Sequence, residues 1–350
     1  VRDADRVLAA SEIGVVMLLF VIGLELSLPR LKVMRRPIFG VGGLQVLLSG
    51  IALALLSMGA GLAWKAALVV GLGLALSSTA VGLQLLSERK ELTAEHGRLA
   101  FAILLFQDLA AIPLLAAIPL LGAHAAAGEG NGWLAVAKAV AVIAALVLGG
   151  RYLLRHVFRV IARTGMPEVF TAAALLVVLG SAWLMQLAGL SAGLGAFLAG
   201  VLLAESEFRH ELESQIQPFE GLLLGLFFMA VGMSIDLQRV AAEPLAILAG
   251  TGLLLAVKFA VVWGASRWFG ATPGGAMRSG LWLCAGGEFG LVLLSLIQHT
   301  GVASSAVTQT VLAALVLSLL LAPFIVHYSE RLVLRFAASE WLLRSMQLTK

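Results

Sequence analysis

The chain has 350 residues, of which 60% are hydrophobic and 13% are charged, with a mean hydropathy of +1.00. Average soluble chains carry about 25% charged residues, so this composition excludes a soluble globular domain and predicts a helical protein that crosses a membrane several times. The formal net charge of +4 does not indicate a nucleic-acid partner, and a single cysteine, Cys284, excludes an internal disulfide and a thiolate metal cluster.

Apolar runs of membrane-spanning length recur along the whole chain and predict eleven helices. In chain order they cover 11–28, 38–60, 65–87, 95–122, 132–157, 167–188, 190–207, 218–234, 243–268, 275–299 and 304–335. Lysine and arginine concentrate in alternate loops, for example around 30–36, 89–98 and 151–163. Because cytoplasmic loops hold the excess of positive charge, we expect the N-terminus outside the cell and the C-terminus in the cytoplasm.

An amide and a carboxylate stand together in the otherwise apolar fourth segment, at Gln107 and Asp108. A charge at the bilayer centre costs about 2.5–3.5 kcal/mol on insertion scales, so it is rarely kept for packing alone. Pro113 lacks the backbone N–H that would bond the carbonyl of Leu109, which leaves that oxygen available as a ligand. These oxygens suit a proton or an alkali cation. We expect an ion site here, and the alternative is an aspartate that only pairs with one basic residue between helices.

Two further charges are predicted at the same depth as Asp108. Asp108 follows Arg98 by ten residues, or about 15 Å of helix, which is half of a roughly 30 Å hydrocarbon core. Lys258 and Glu288 lie at similar distances from the cytoplasmic ends of their own segments. Three ionisable residues on three helices therefore share the predicted membrane midplane, which favours a transport function.

Two segments at the midplane are predicted to interrupt their helices. Gly286 and Gly287 stand directly before Glu288, and a run of hydroxyls, Ser77 to Thr79, lies at mid-depth of the third segment. Glycine-interrupted spans in both halves of a transporter indicate broken helices at a substrate site. For the hydroxyl run, ordinary packing of small residues is the alternative.

Acidic residues also collect in one predicted cytoplasmic loop. The loop contains Glu205, Glu207, His210, Glu211 and Glu213. Such a cluster is either a solvated turn or a regulatory contact, and the sequence leaves both open.

The segment 106–113 resembles the Gln-Asp motif of the monovalent cation:proton antiporter-2 family. Further stretches resemble the Kef-type, glutathione-regulated potassium-efflux branch, in the same order along nearly the whole chain. They are 12–16, 20–26, 74–80, 195–204 and 221–228.

The resemblance implies an all-α membrane protein with a sodium/proton-antiporter-like bundle, inverted repeats and two crossing discontinuous helices. Family members have thirteen transmembrane helices, so we expect about eleven of them here, with two more preceding Val1 in a longer protein. Residues 1–335 are then the cation/proton exchange domain, and 336–350 begin a cytoplasmic tail. A homodimer is implied as well.

The resemblance also implies functions for the midplane residues. Asp108 is expected to bind the ion, which we take to be potassium, and Lys258 is expected to be its charge partner. The amide of Gln107 favours the potassium-type branch, because sodium/proton relatives often carry a second acid there. The further predicted ligands are Gln107, Ser78, Thr79 and the carbonyl of Leu109, and the predicted discontinuous helix contains Gly286, Gly287 and Glu288.

We therefore predict a potassium/proton antiporter of the inner membrane that works by alternating access and needs no cofactor, with potassium and protons as the transported ions. Kef-type proteins continue into a cytoplasmic nucleotide-binding domain that binds glutathione, so a regulatory domain with nucleotide or glutathione is a possible partner of the full-length protein. This chain ends before any such domain, and Gln215 and Gln217 stand where the branch carries loop acids.

Three other functions compete with this prediction. A ligand-gated potassium channel on the same scaffold and a sodium/proton antiporter both stay open, since single-channel current and cation dependence decide between them. An intramembrane aspartyl protease needs a second aspartate facing Asp108. Asp3, Asp5 and Asp236 are instead predicted at or beyond the outer surface, so we expect a transporter and not an enzyme.

Overall fold

The computed structural model describes residues 13–14, 16–17, 19–24, 28–121, 132–190, 192–300 and 305–347. These residues form helices and short turns, without a strand among them. The helices are α1 (helical residues within 13–24), α2 (Leu28–Val33), α3 (Arg35–Gly59), α4 (Trp64–Ala75), α5 (Thr79–Glu88), α6 (Glu95–Leu121), α7 (Gly132–Ala162), α8 (Pro167–Leu187), α9 (Ala192–Leu203), α10 (Arg209–Ser234), α11 (Leu237–Ala242), α12 (Pro244–Trp268), α13 (Pro273–Leu283), α14 (Glu288–Thr300) and α15 (Ser305–Gln347).

Six of the described helical segments are long and apolar enough to cross a membrane. They are Arg35–Gly59, Glu95–Leu115, Val140–Ala162, Pro167–Leu187, Pro244–Trp268 and Ala306–Arg335. Shorter apolar helices, Trp64–Ala75 and Ala192–Leu203, stand between them. The predicted fold class, an all-α membrane protein with several spans, is confirmed, whereas the count of eleven crossings stays a prediction.

Two predicted helix boundaries are wrong. The helix predicted to begin at 218 begins at Arg209 and contains Pro218 in its interior, so His210, Glu211 and Glu213 are helical rather than part of a loop. The last helix continues beyond the predicted end at 335 to Gln347. In both places charged residues interrupt the apolar pattern, and hydropathy marks only the continuous apolar part of a helix. The first predicted helix, 11–28, lies partly outside the described residues.

The chain divides into two compact units. The first unit comprises 1–33, 110–236 and 299–302, and the second comprises 34–109, 237–298 and 303–350. In the first unit, α1 and α7–α10 share a buried apolar cluster. Three phenylalanines stand at its centre: the ring centroid of Phe158 lies 5.4 Å from that of Phe170 and 6.3 Å from that of Phe208.

The second unit contains all three predicted midplane charges. In it, α3 packs along α4, and α12 packs against α13, α15 and α3. Its apolar cluster includes Ile103, Leu104, Val262 and Trp282. The packed spans α3, α12 and α15 contact α4 and α13, which are too short to cross a bilayer singly, and the candidate site lies where those short helices end.

Candidate functional site

Both predicted interruptions are present in the second unit. Helix α4 ends at Ala75, its C-cap residue Leu76 is extended with ψ 139°, and α5 begins at Thr79. Helix α13 ends at Leu283, and α14 begins at Glu288 after four non-helical residues. A helix end leaves backbone N–H and C=O groups without intrahelical partners, so each break exposes polar backbone at the predicted midplane.

The two breaks are in direct contact, which confirms the predicted crossing of two discontinuous helices. Ser77 Oγ donates a hydrogen bond of 2.8 Å to the carbonyl of Leu283. A methyl group on Gly287 would lie only 2.6 Å from Ser77 O and 2.7 Å from Ser78 N. Only glycine therefore permits this approach of backbone to backbone.

Ser318 of α15 supports the second break. Its hydroxyl accepts a hydrogen bond of 3.0 Å from Gly286 N and donates one of 2.7 Å to Leu315 O. A buried backbone N–H at a helix break must find such a partner, because no water is present in the bilayer core.

Lys258 connects the two breaks. Its ammonium is fully buried and donates to Leu76 O at 3.0 Å, to Ser77 Oγ at 2.9 Å and to Ala285 O at 2.6 Å. An ammonium has three N–H donors, so these three oxygens take up its hydrogen-bonding capacity. Leu76 and Ala285 lie at the C-terminal ends of α4 and α13, where the helix dipole favours a positive charge. The predicted pairing of Lys258 with Asp108 in at least one conformation stays a prediction.

Asp108 lies against the start of α5. Its side chain is buried in α6, and its Oδ1 accepts a hydrogen bond of 2.9 Å from Thr79 Oγ1. Thr79 is the first residue of α5, so the carboxylate lies near the positive end of that half-helix, where negative charge is favoured. The Oγ of Ser78 accepts from Val81 N at 3.2 Å and thus caps the same helix end.

Gln107 contacts the first break from the same helix as Asp108. Its Oε1 accepts a hydrogen bond of 2.8 Å from Ser77 N, and its Nε2 donates to Gln45 Oε1 at 2.8 Å and to Ala75 O at 3.4 Å. The amide is therefore bonded to the backbone of the break on both of its ends. These contacts do not test the predicted direct contact of Gln107 with an ion, which stays a prediction.

Glu288 and Leu109 are the remaining residues of the predicted site. Glu288 is buried and is the first residue of α14, where an acid is favoured by the helix dipole. Leu109 is a half-buried residue of α6, and its carbonyl as a ligand stays a prediction.

The acidic cluster predicted as a possible regulatory loop lies in the first unit. Glu207 Oε1 is 3.7 Å from Arg159 Nε, and both side chains are more than half exposed, at 64% and 55%. His210 Nδ1 is 3.9 Å from Glu213 Oε2, one helical turn apart. Glu205 and Glu211 are exposed. Solvated ion pairs of this kind contribute little to stability. A regulatory contact here stays a prediction.

Sequence reasoning missed three buried polar side chains that complete the site. Gln45 and Ser49 of α3 extend the hydrogen bonds of Gln107, and Ser318 of α15 bonds the second break. Each is a polar residue inside an apolar span, where its side chain must find a partner within the protein. That rule singles out Gln45, because it carries the only amide of the predicted segment 38–60.

The site thus presents the buried carboxylate of Asp108 with a hydroxyl donor and polar backbone nearby, together with the buried ammonium of Lys258, which bonds to the helix ends. Carboxylate, hydroxyl and carbonyl oxygens are hard ligands suited to a monovalent cation or a proton. Hydrogen bonds within and between the two breaks hold these groups at defined positions.

The chain matches a known protein family and a known fold. The family model described as "Sodium/hydrogen exchanger, transmembrane" matches residues 2–328. Among solved structures, the chain is similar to the sodium proton antiporter MjNhaP1 from Methanocaldococcus jannaschii, solved at pH 8, with a TM-score of 0.65. The two share 15% sequence identity over 94% of this chain and 88% of that chain. At this identity the similarity shows the fold, which is the antiporter-like bundle that the sequence predicted.

Proposed function

The chain belongs to the sodium/hydrogen exchanger family, whose members are secondary transporters and not enzymes, and from that premise we propose that it exchanges potassium for protons. The proposed ion-binding group is the carboxylate of Asp108. The observation that carries this proposal is the bond from Thr79 to that buried carboxylate at the start of a broken half-helix. It brings a carboxylate and a hydroxyl oxygen together as ligands inside the membrane.

The proposed cycle is competition between two cations for one carboxylate. On one side of the membrane, Asp108 releases its proton and binds potassium with the hydroxyls of Thr79 and Ser78 and the carbonyl of Leu109. On the other side, a proton displaces the ion. Because one carboxylate binds one monovalent charge at a time, the exchange is one for one and electrically neutral.

Lys258 and Glu288 act in this proposal as fixed charges of the crossing. The ammonium of Lys258 balances the C-terminal ends of α4 and α13, and the carboxylate of Glu288 faces the N-terminal end of α14. Gln107 acts on the site through its bond to Ser77 N.

Potassium is proposed as the substrate on the strength of the sequence, and sodium is the alternative. Gln107 stands where sodium/proton relatives often carry a second acid, and the stretches at 74–80 and 195–204 resemble the Kef-type branch. Sodium is favoured by the names of the matching family and of the similar structure, which both refer to sodium.

The cellular setting is proposed from the same resemblance. We place the protein in the inner membrane, with the N-terminus of the chain outside and the C-terminus in the cytoplasm. A homodimer is the proposed assembly, and a cytoplasmic domain that binds nucleotide or glutathione is a possible regulator in the full-length protein.

Cation-dependent proton flux in vesicles tests this function. The purified protein is reconstituted with a pH-sensitive dye inside, and potassium, sodium or lithium is added outside in turn. We expect potassium to drive proton movement and Asp108→Asn, which keeps the volume but cannot titrate, to abolish it.

Each part of the proposal has its own contrary result in that experiment. Proton movement driven by sodium and not by potassium would overturn the substrate, and normal exchange by Asp108→Asn would overturn the site. Single-channel currents without any proton movement would favour the channel.

A further inference from the structure

A chain of buried amides links α3 to the first break and to α6. Gln45 Nε2 donates to Ser49 Oγ at 3.1 Å and to Ala75 O at 3.1 Å, and Gln45 Oε1 accepts from Gln107 Nε2 at 2.8 Å. Gln45 and Gln107 are both completely buried, with 0% of their surface exposed. Such an amide is costly inside a membrane unless its polar atoms are bonded, and here the bonds join three different helices.

The backbone fixes the direction of both amides. The oxygen of Ala75 can only accept a hydrogen bond, so Gln45 must turn its NH2 group toward it and its oxygen toward Gln107. The N–H of Ser77 can only donate, so Gln107 must turn its oxygen toward Ser77 and its NH2 group toward Gln45. If either amide is reversed, donors face donors or acceptors face acceptors, and each buried mismatch costs about 1–3 kcal/mol.

The bonds of Gln107 lie next to the candidate ion site in both α6 and the first break. Gln107 and Asp108 are neighbours on α6, and they bond to Ser77 N and to Thr79 Oγ1, which are two positions apart in the first break. The two side chains therefore hold one short segment of backbone at two points. A shift of Ser77 moves Thr79 relative to the carboxylate.

We propose that Gln45 is a positioning residue of the ion site: its oxygen holds the Gln107 amide in place, and the bond of that amide to Ser77 places Thr79 against Asp108. Gln45 touches no transported ion in this mechanism. The inference rests on the proposed function in one respect, namely that Asp108 and Thr79 bind the transported cation.

Gln45→Leu tests the inference because it removes all of the bonds of Gln45 at similar side-chain volume. The NH2 group of Gln107 then keeps only the long bond to Ala75 O at 3.4 Å, so the amide is held less firmly against Ser77. We expect the half-saturating cation concentration for exchange to rise about tenfold. This is the size of effect expected when one buried hydrogen bond, here the bond between Gln107 and Gln45, is lost. Its dependence on pH should shift as well, because the geometry around the titrating carboxylate changes.

A double-variant comparison separates positioning from general stability. Gln45→Leu combined with Gln107→Leu should raise the half-saturating concentration no more than the stronger single variant, because both act through one pair. Thr251→Val is the matched control, since Thr251 is buried in the same unit and bonds only to Ile247 O and Ala314 O. It should leave the half-saturating concentration and its pH dependence unchanged.

The measurement uses the whole protein in vesicles, with potassium and with sodium, and the unfolding temperature is recorded for each variant. A lower unfolding temperature with unchanged half-saturation and pH dependence would show that Gln45 is only structural and would overturn the inference. Effects of the two leucine variants that multiply would overturn it too. Should Gln45→Leu not fold, Gln45→Met removes the same N–H donors with a more adaptable side chain and is judged in the same way.

The wild type and Asp108→Asn are measured beside these variants. They distinguish a failure of the proposed function from a failure of the inference about Gln45. If the wild type moves sodium rather than potassium, the proposed substrate is wrong and Gln45 is judged on sodium. If Asp108→Asn still exchanges cations normally, the proposed site is wrong, and the inference that depends on it is overturned with it.

Discussion

Lys258 illustrates how a single residue is accommodated inside the membrane. Its ammonium bonds to three uncharged oxygens, two of them backbone carbonyls at helix ends. A buried positive charge is tolerated when its hydrogen bonds are satisfied and the negative end of a helix dipole stabilises it. In this conformation, Lys258 therefore stabilises the crossing of the two broken helices.

Replacement of Lys258 should accordingly lower stability. Lys258→Gln keeps a polar group but cannot supply three donors at once, and hydrogen bonds to charged groups contribute about 1.5–3 kcal/mol each. We expect the unfolding temperature in detergent to fall by several degrees while some cation exchange remains.

Lys65→Gln is the matched control for this prediction. Lys65 is exposed, with its Nζ 5.7 Å from the ring centroid of Trp64, so its loss should leave the unfolding temperature unchanged. An unaltered unfolding temperature in Lys258→Gln would contradict the stabilising role that the three bonds indicate.

At the residue scale, the sequence predicts which charged side chains are buried better than it predicts their hydrogen-bond partners. Asp108, Lys258 and Glu288 could be found by depth, because a charge in an apolar segment is conspicuous and the helical rise is fixed. The partners of Lys258 could not, since Leu76 and Ala285 contribute backbone carbonyls that any residue type carries. Which carbonyls are exposed depends on where the helices break and cross.

At the element scale, the breaks themselves follow from local residue types. Glycines and hydroxyls at mid-depth predicted interruptions near Ser77 and Gly287, and both are present. The start of α10 was not predictable in the same way, because residues 209–217 set two isolated apolar residues among polar ones and carry no apolar run. That helix continues through Pro218, which a membrane protein tolerates where neighbouring groups satisfy the backbone.

The crossing predicts a strict size limit at Gly287. Gly287→Ala would bring a methyl group within 2.7 Å of Ser78 N and still closer to the backbone of Ser77, which cannot rotate away. Overpacking typically costs about 1–3 kcal/mol, so we expect a lower unfolding temperature and strongly reduced exchange.

Gly264→Ala is the control for the crossing, because Gly264 lies in α12 with no atom within 4 Å of an added methyl group. It should behave as wild type in both measurements. Wild-type exchange and stability in Gly287→Ala would mean that the two breaks do not approach as closely as described.

At the scale of the whole molecule, the order of the motifs along the chain predicted the fold. The stretch around Gln107 and Asp108 and the further matching stretches indicated a cation/proton antiporter, and the match over residues 2–328 places the chain in the sodium/hydrogen exchanger family. The residues alone predict a membrane transporter with three midplane charges. The division into two compact units was not predicted, because it depends on contacts between segments far apart in sequence.

The central claim is that a proton and a cation compete for the single carboxylate of Asp108. Its most direct test is the half-saturating potassium concentration for exchange, measured in vesicles at several pH values. Below the pKa of the carboxylate, a protonated Asp108 cannot bind the cation, so each unit of lower pH should raise the half-saturating concentration about tenfold. Above that pKa, no proton remains to be displaced, and the concentration should level off. A half-saturating concentration that is independent of pH across the active range would contradict the shared site.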